Sequence, residues 1–174
     1  MFYPCFPIVM PFVFSGINNI LEDPLWIAEP SMRGIRCLAH KHNNRIDLWT
    51  RDRMRITAPL EALRRQILSM TTDQMILDGV LIGDGKLKDN YYVFDIASDQ
   101  GILSQRYAKL ICLYWDGEYP LIQISQQTTD KYKLLSDNRT NKNTNGIILK
   151  HIDKNYYVPA KNKRINHDWI KIIL

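Results

Sequence analysis

The 174-residue chain is poor in metal-ligating and cross-linking side chains: it has three cysteines, Cys5, Cys37 and Cys112, and four histidines. An odd number of cysteines at wide spacing, with no Cys-x-x-Cys pair, argues against a disulfide framework and a thiolate zinc site. A reducing, cytoplasmic setting is therefore expected. His40 and His42 stand at strand spacing, but no third ligand accompanies them, and they are expected to be a plain surface pair rather than a metal site. Long apolar runs are also missing. The stretch from Phe2 to Phe14 is interrupted by Pro4, Pro7 and Pro11, has no basic segment before it and is too short for a membrane helix, so no membrane partner is expected. Nothing repeats along the chain. What is present is an ordinary globular composition, 45% apolar and 24% charged, in a length that supports one core without staples; residues 1–174 are expected to be a single unit. Basic residues outnumber acidic ones 23 to 18. That excess is compatible with a polyanionic partner without identifying one.

The pattern of apolar residues predicts an α+β fold with mainly antiparallel sheets and flanking helices. Residues 34–40 and 45–51 are β-prone and are separated by the polar cluster Lys41 to Asn44, which predicts a hairpin. Leu60, Leu63, Ile67 and Met70 recur at helical spacing, with Thr57 as the expected cap. Residues 75–82 and 91–97 read as two further strands. Leu103, Tyr107, Leu110, Ile111 and Tyr114 form a second helical stripe, outside which Ser104, Arg106 and Lys109 fall. Residues 136–145 are uniformly polar and predict an exposed, mobile loop. Residues 146–152 and 169–174 read as final strands.

Six short motifs occur in order along this pattern. Trp26 to Arg36 contains Glu29-Pro30-Ser31-Met32-Arg33-Gly34; then come Trp49-Thr50-Arg51-Asp52, Leu77-Asp78-Gly79-Val80, Tyr92-Val93-Phe94-Asp95, Asn145-Gly146 followed by Lys150, and Trp169-Ile170-Lys171. Together they resemble the adenylation domain of ATP-dependent DNA ligases, within the covalent nucleotidyltransferases that include the mRNA-capping enzymes. The resemblance covers most of the chain. It implies that Glu29 contacts adenine, Arg36 lies beside the ribose, Arg51 lies near a phosphate, Phe94 stacks on the base, and Lys150 and Lys171 supply cations. The sequence stops at Leu174, within the last of these motifs, so no C-terminal OB-fold domain is expected.

The same alignment implies a loss of chemistry. The family attacks the α-phosphorus of ATP with a lysine amine, and Ser31 stands at that position. Arg33, Val80 and Asn145 replace three carboxylates, and Ile173 replaces a lysine. Magnesium requires hard anionic oxygens, so it is not an expected cofactor, and ATP would be a ligand rather than a substrate. Stacking and phosphate pairing need neither metal nor nucleophile. The expectation is a ligase-like pseudoenzyme that binds nucleotide or nucleic acid, DNA before RNA, with Lys161, Lys163 and Arg164 touching the nucleic-acid backbone. Two alternatives stand beside it. One is an active enzyme in which Lys41 or Lys150 supplies the amine. The other is an interaction subunit with a partner protein, its cleft filled by Val80. Arg33 is expected to neutralise Glu29.

Overall fold

A two-residue turn sets the first strong pairing. Asn43 and Asn44 both take positive φ, 46° and 59°, the backbone hand that matches the twist of flanking strands in a tight hairpin. The strands they join are β3 (Ile35–His42) and β4 (Arg45–Thr50). His42 pairs with Arg45, so Lys41 and His42 belong to the ladder rather than to the turn. A computed structural model describes residues 8–11, 17–58, 60–83, 90–156 and 165–174. Lys161, Lys163 and Arg164 lie outside the described residues.

The remaining elements in chain order are β1 (Ile8–Pro11), α1 (Ile17–Glu22), β2 (Trp26–Met32), α2 (Glu61–Ser69), β5 (Met75–Ile82), β6 (Asn90–Ile96), α3 (Leu103–Trp115), β7 (Ile122–Ile124), α4 (Lys131–Asn138), β8 (Thr144–His151) and β9 (Ile165–Ile173). Two sheets result, ordered β4-β3-β5-β6-β7 and β1-β9-β8-β2. Among the described residues the strand pairings are antiparallel except β6 with β7 and β1 with β9. The α+β architecture with mainly antiparallel sheets is as expected from the sequence.

Period-two alternation gives each sheet two buried faces. On the five-stranded sheet Cys37, Ala39, Leu77, Leu81, Tyr91 and Val93 pack with Leu63 and Ile67 of α2 and Leu110 and Leu113 of α3. Each such aliphatic side chain taken fully out of water contributes about 1.5–3 kcal/mol. On the four-stranded sheet Ala28, Ile147, Leu149 and Ile172 pack with Leu21 of α1 and with Leu134 and Leu135 of α4. The opposite faces of the two sheets turn toward each other and meet where Phe94 of β6 packs with Trp169 of β9 and with Tyr156.

Three local expectations are corrected. Residues 136–145 are not a mobile loop: they hold the end of α4 and the start of β8, with Asn138 and Thr144 buried. Most of the segment is exposed, as expected, but Asn138 Nδ2 donates to Leu134 O and Thr144 Oγ1 to Asn141 O, local bonds that hold the two buried polar residues within regular elements. Arg106 is not outside the α3 stripe. It is fully buried and donates two bonds to Asp95, at 2.7 and 2.9 Å, which a composition-based stripe misses. Thr57 does not cap α2, whose N-cap position is Leu60 without a side-chain bond. The helix start is fixed instead by Arg64, which donates to the carbonyls of Ile46 and Ile56.

Candidate functional site

The inward faces of the two sheets enclose a cavity of about 560 Å³, within the range of small-ligand sites. Strand periodicity builds it. In β2, Glu29 and Ser31 share the face opposite Ala28; in β8, Ile148 and Lys150 lie opposite Ile147 and Leu149; in β9, Trp169 and Lys171 lie opposite Ile170 and Ile172. From the other sheet come Arg36 of β3, Val80 of β5, Tyr92 and Phe94 of β6, and Thr50, Arg51 and Asp52 at the end of β4. All six sequence motifs thus place at least one residue in the lining. Two motif glycines permit the close approach this needs. A Cβ on Gly34 would lie 2.3 Å from the Leu81 carbonyl, and Gly146 has φ +130° with the Ile172 carbonyl 1.8 Å from where a Cβ would sit.

At its inner end the charges are buried and paired. Lys150 Nζ lies 2.8 Å from Glu29 Oε2, both side chains being essentially inaccessible. Gln127 Nε2 donates to the other Glu29 oxygen at 2.7 Å, and Lys150 also donates to the Phe94 carbonyl at 3.2 Å. The ammonium sits 4.5 Å from the Phe94 ring centroid and 4.4 Å from that of Trp169, in cation–π range. Burial raises the Glu29 carboxyl above its ordinary range, and Lys150 and Gln127 oppose that shift. Arg36 makes a two-pronged contact with Asp78, at 3.0 and 2.6 Å, while the Tyr156 hydroxyl donates to the same carboxylate at 2.6 Å. Burial disfavours the Arg36 charge, but Asp78 outweighs it and holds the guanidinium charged. The Arg36 guanidinium lies 5.0 Å from the Phe94 centroid.

The outer end is different. Ser31 Oγ donates to Asn145 Oδ1 at 2.7 Å. Arg33 is exposed and its Nε donates to the Thr144 carbonyl at 2.8 Å. It does not neutralise Glu29, contrary to expectation, because Lys150 and Gln127 already occupy that carboxylate. Arg51 is exposed at the rim. The Lys171 amine is held below its ordinary range by burial first and then by Arg33, Arg36 and Arg51.

Of the residues singled out in the sequence, Ser31, Arg36, Arg51, Phe94 and Lys171 line the cavity, whereas Glu29 and Lys150 form its sealed inner pair. Val80 lines the cavity and does not fill it. Lys41 lies elsewhere, its amine donating to the carbonyls of Leu68 and Met70 at 2.7 Å each. Sequence reasoning missed Gln127 and Tyr156, which hold Glu29 and Asp78; neither carries a motif or period that marks it. His40 and His42 stack with centroids 4.4 Å apart, and His42 Nε2 lies 2.8 Å from Asp47 Oδ2. They are a partly buried network rather than a plain surface pair.

No family model matches the chain. Over 190 residues, spanning 95% of this chain and 67% of the other, it is 26% identical to the SPbeta prophage-derived DNA ligase-like protein LigB of Bacillus subtilis strain 168. Its fold superposes on a mycobacterial DNA ligase D complexed with ATP and MES with TM-score 0.72 and 18% identity, covering 97% of this chain and 59% of that one. The fold is that of a DNA ligase nucleotidyltransferase domain. A Lig E DNA ligase, from work on DNA binding with a minimal scaffold, gives TM-score 0.69 and 16% identity over 98% of this chain and 68% of that one. This DNA ligase-like chain therefore spans from just under half to about two thirds of the proteins it matches. Among the described residues no helix is long and apolar enough to cross a membrane.

The ligase fold implies a divalent cation, and the residues present do not fit one. Among the described residues no group of three or more His, Cys, Asp or Glu is arranged to hold a metal. Asp52 is the one carboxylate among the described lining residues; Glu29 and Asp78 are committed to Lys150 and Arg36. Hard oxygen donors carrying charge are what magnesium requires.

Proposed function

We propose that this DNA ligase-like chain is a pseudoenzyme that binds a purine nucleotide or a DNA end in the inter-sheet cavity without lysine adenylylation, Ser31 standing where the family has its nucleophile. The observation that carries this reading is the Ser31–Asn145 hydrogen bond, 2.7 Å long. It joins the positions that resemble the family's nucleophile and one of its metal-side acids, and both are neutral. Tyr92 and Phe94 supply the base platform and Arg51 and Lys171 the phosphate contacts, while Glu29 and Arg36, held by Lys150 and Asp78, support that wall from behind. The basic residues Lys161, Lys163 and Arg164 add backbone contact to DNA in preference to RNA.

The test is incubation of the purified chain with ATP labelled at the α-phosphate, alongside thermal-shift titration with ATP and with nicked duplex. No covalent adduct is expected, together with stabilisation by ATP or by nicked duplex. DNA stabilisation should fall steeply with added salt, because phosphate contacts release counterions. An acid-labile, alkali-stable adduct would refute the reading.

One observation favours a second reading, an active nucleotidyltransferase. Lys171 lines the cavity and its amine is shifted toward the uncharged form. In that case its nitrogen attacks the α-phosphorus, loses a proton and releases pyrophosphate. An adduct abolished by Lys171→Met would establish it. Lys41 and Lys150, held elsewhere by carbonyls and by Glu29, are not positioned for that role.

A further inference from the structure

Charge around the outer cavity is lopsided. Arg51 and Lys171 line its mouth, and Arg33 stands at the edge between the lining residues Met32 and Gly34, its Nε held on the carbonyl of Thr144 beside lining Asn145. Asp52 is the single described lining carboxylate there, since the Arg36 charge is balanced by Asp78 in a two-pronged contact. A cavity walled by low-dielectric side chains concentrates such a field and draws in anions. Its volume of about 560 Å³ suits a ligand of nucleotide size. The aromatic wall, Tyr92 and Phe94, lies at the same cavity, so one ligand can meet both a ring and the cations.

We propose that this mouth binds the polyphosphate of a nucleoside triphosphate in its metal-free form, with Arg33, Arg51 and Lys171 supplying the positive charge that a divalent cation would otherwise bring. This rests on the reading that the cavity takes a nucleotide. Metal-bound triphosphate carries two fewer negative charges than the free anion, and a cationic site without acids prefers the more highly charged form. A metal ion brought in with the ligand also gains no carboxylate partner there.

The experiment is isothermal titration of the full chain with ATP, inorganic tripolyphosphate and adenosine, each in EDTA and in excess magnesium. ATP and tripolyphosphate are expected to bind in EDTA, ATP about tenfold more tightly than in magnesium, with adenosine weaker and indifferent to the metal. ATP binding that requires magnesium would overturn this site and leave the nucleotide reading intact. Equal ATP binding in both buffers with no tripolyphosphate binding would also overturn it, because the base would then carry the affinity. Failure of all three ligands in both buffers would overturn the nucleotide reading as well. Arg33→Asp provides a second arm, its fold checked by an unchanged melting temperature, since Arg33 is exposed. That variant is expected to lose about tenfold in EDTA and to bind ATP better with magnesium than without, while Arg33→Lys keeps the metal-free preference. Unchanged metal-free preference in Arg33→Asp would refute the proposal.

Discussion

The inner and outer ends of the inter-sheet space carry the same kinds of residue in opposite states. Inside, every charge described has a partner: Glu29 with Lys150, Arg36 with Asp78, and, beyond them, Arg106 with Asp95. At the mouth, Arg33 and Arg51 are exposed, Lys171 is crowded by like charge, and Ser31 and Asn145 satisfy each other without any charge at all. The inner end is therefore scaffold and the mouth is where an incoming anion gains most. A cation already compensated in a low-dielectric interior has little left to offer a ligand, whereas an uncompensated one does.

Variants that separate the two ends sharpen this contrast. The largest effect is expected from Glu29→Ala, which strands the Lys150 ammonium without its carboxylate. Removing one partner of a buried pair costs about 3–5 kcal/mol, to be read from urea denaturation. If that variant fails to fold, Glu29→Gln with intermediate loss gives the same reading. A smaller and opposite pattern is expected at the mouth. Lys171→Met should leave the melting temperature unchanged or raise it, because an amine repelled by three guanidinium groups is removed, while ATP affinity falls about tenfold. A large loss of stability with no loss of affinity would reverse the assignment of the two ends.

The smallest effect concerns the β3–β4 edge, away from the cavity. Burial first, then the neighbouring His42, lowers the His40 pKa. A group with a depressed folded-state pKa binds more protons unfolded than folded, so its contribution to stability is complete above the ordinary histidine value and is lost as pH falls below it. Chemical denaturation between pH 7.5 and about 5 should show declining stability, and His40→Gln should flatten that slope. Ligand affinity should not follow it.

How much of this was legible in the sequence differs between elements. The β3–β4 hairpin, α2 and α3 were visible because period and turn chemistry are local properties. So was the set of motif residues that line the cavity, since Ser31, Arg36, Arg51, Phe94 and Lys171 all meet there. The state of each residue was not visible. Lys150 reads as a free cation in the sequence, and only the approach of β2 to β8 places Glu29 2.8 Å from it. Arg106 reads as a surface residue of α3 until Asp95 is found beneath it. Residues 136–145 read as loop because local side-chain bonds to backbone cannot be told from solvation by composition.

Short-range order thus came from the chain alone: alternation within each strand decided which residues share a face, and Gly34 and Gly146 stand where no Cβ fits. Which charges are spent and which are left was decided only when the two sheets were brought face to face. Compensation depends on distances of a few ångströms between residues far apart in sequence, and no local pattern encodes those distances.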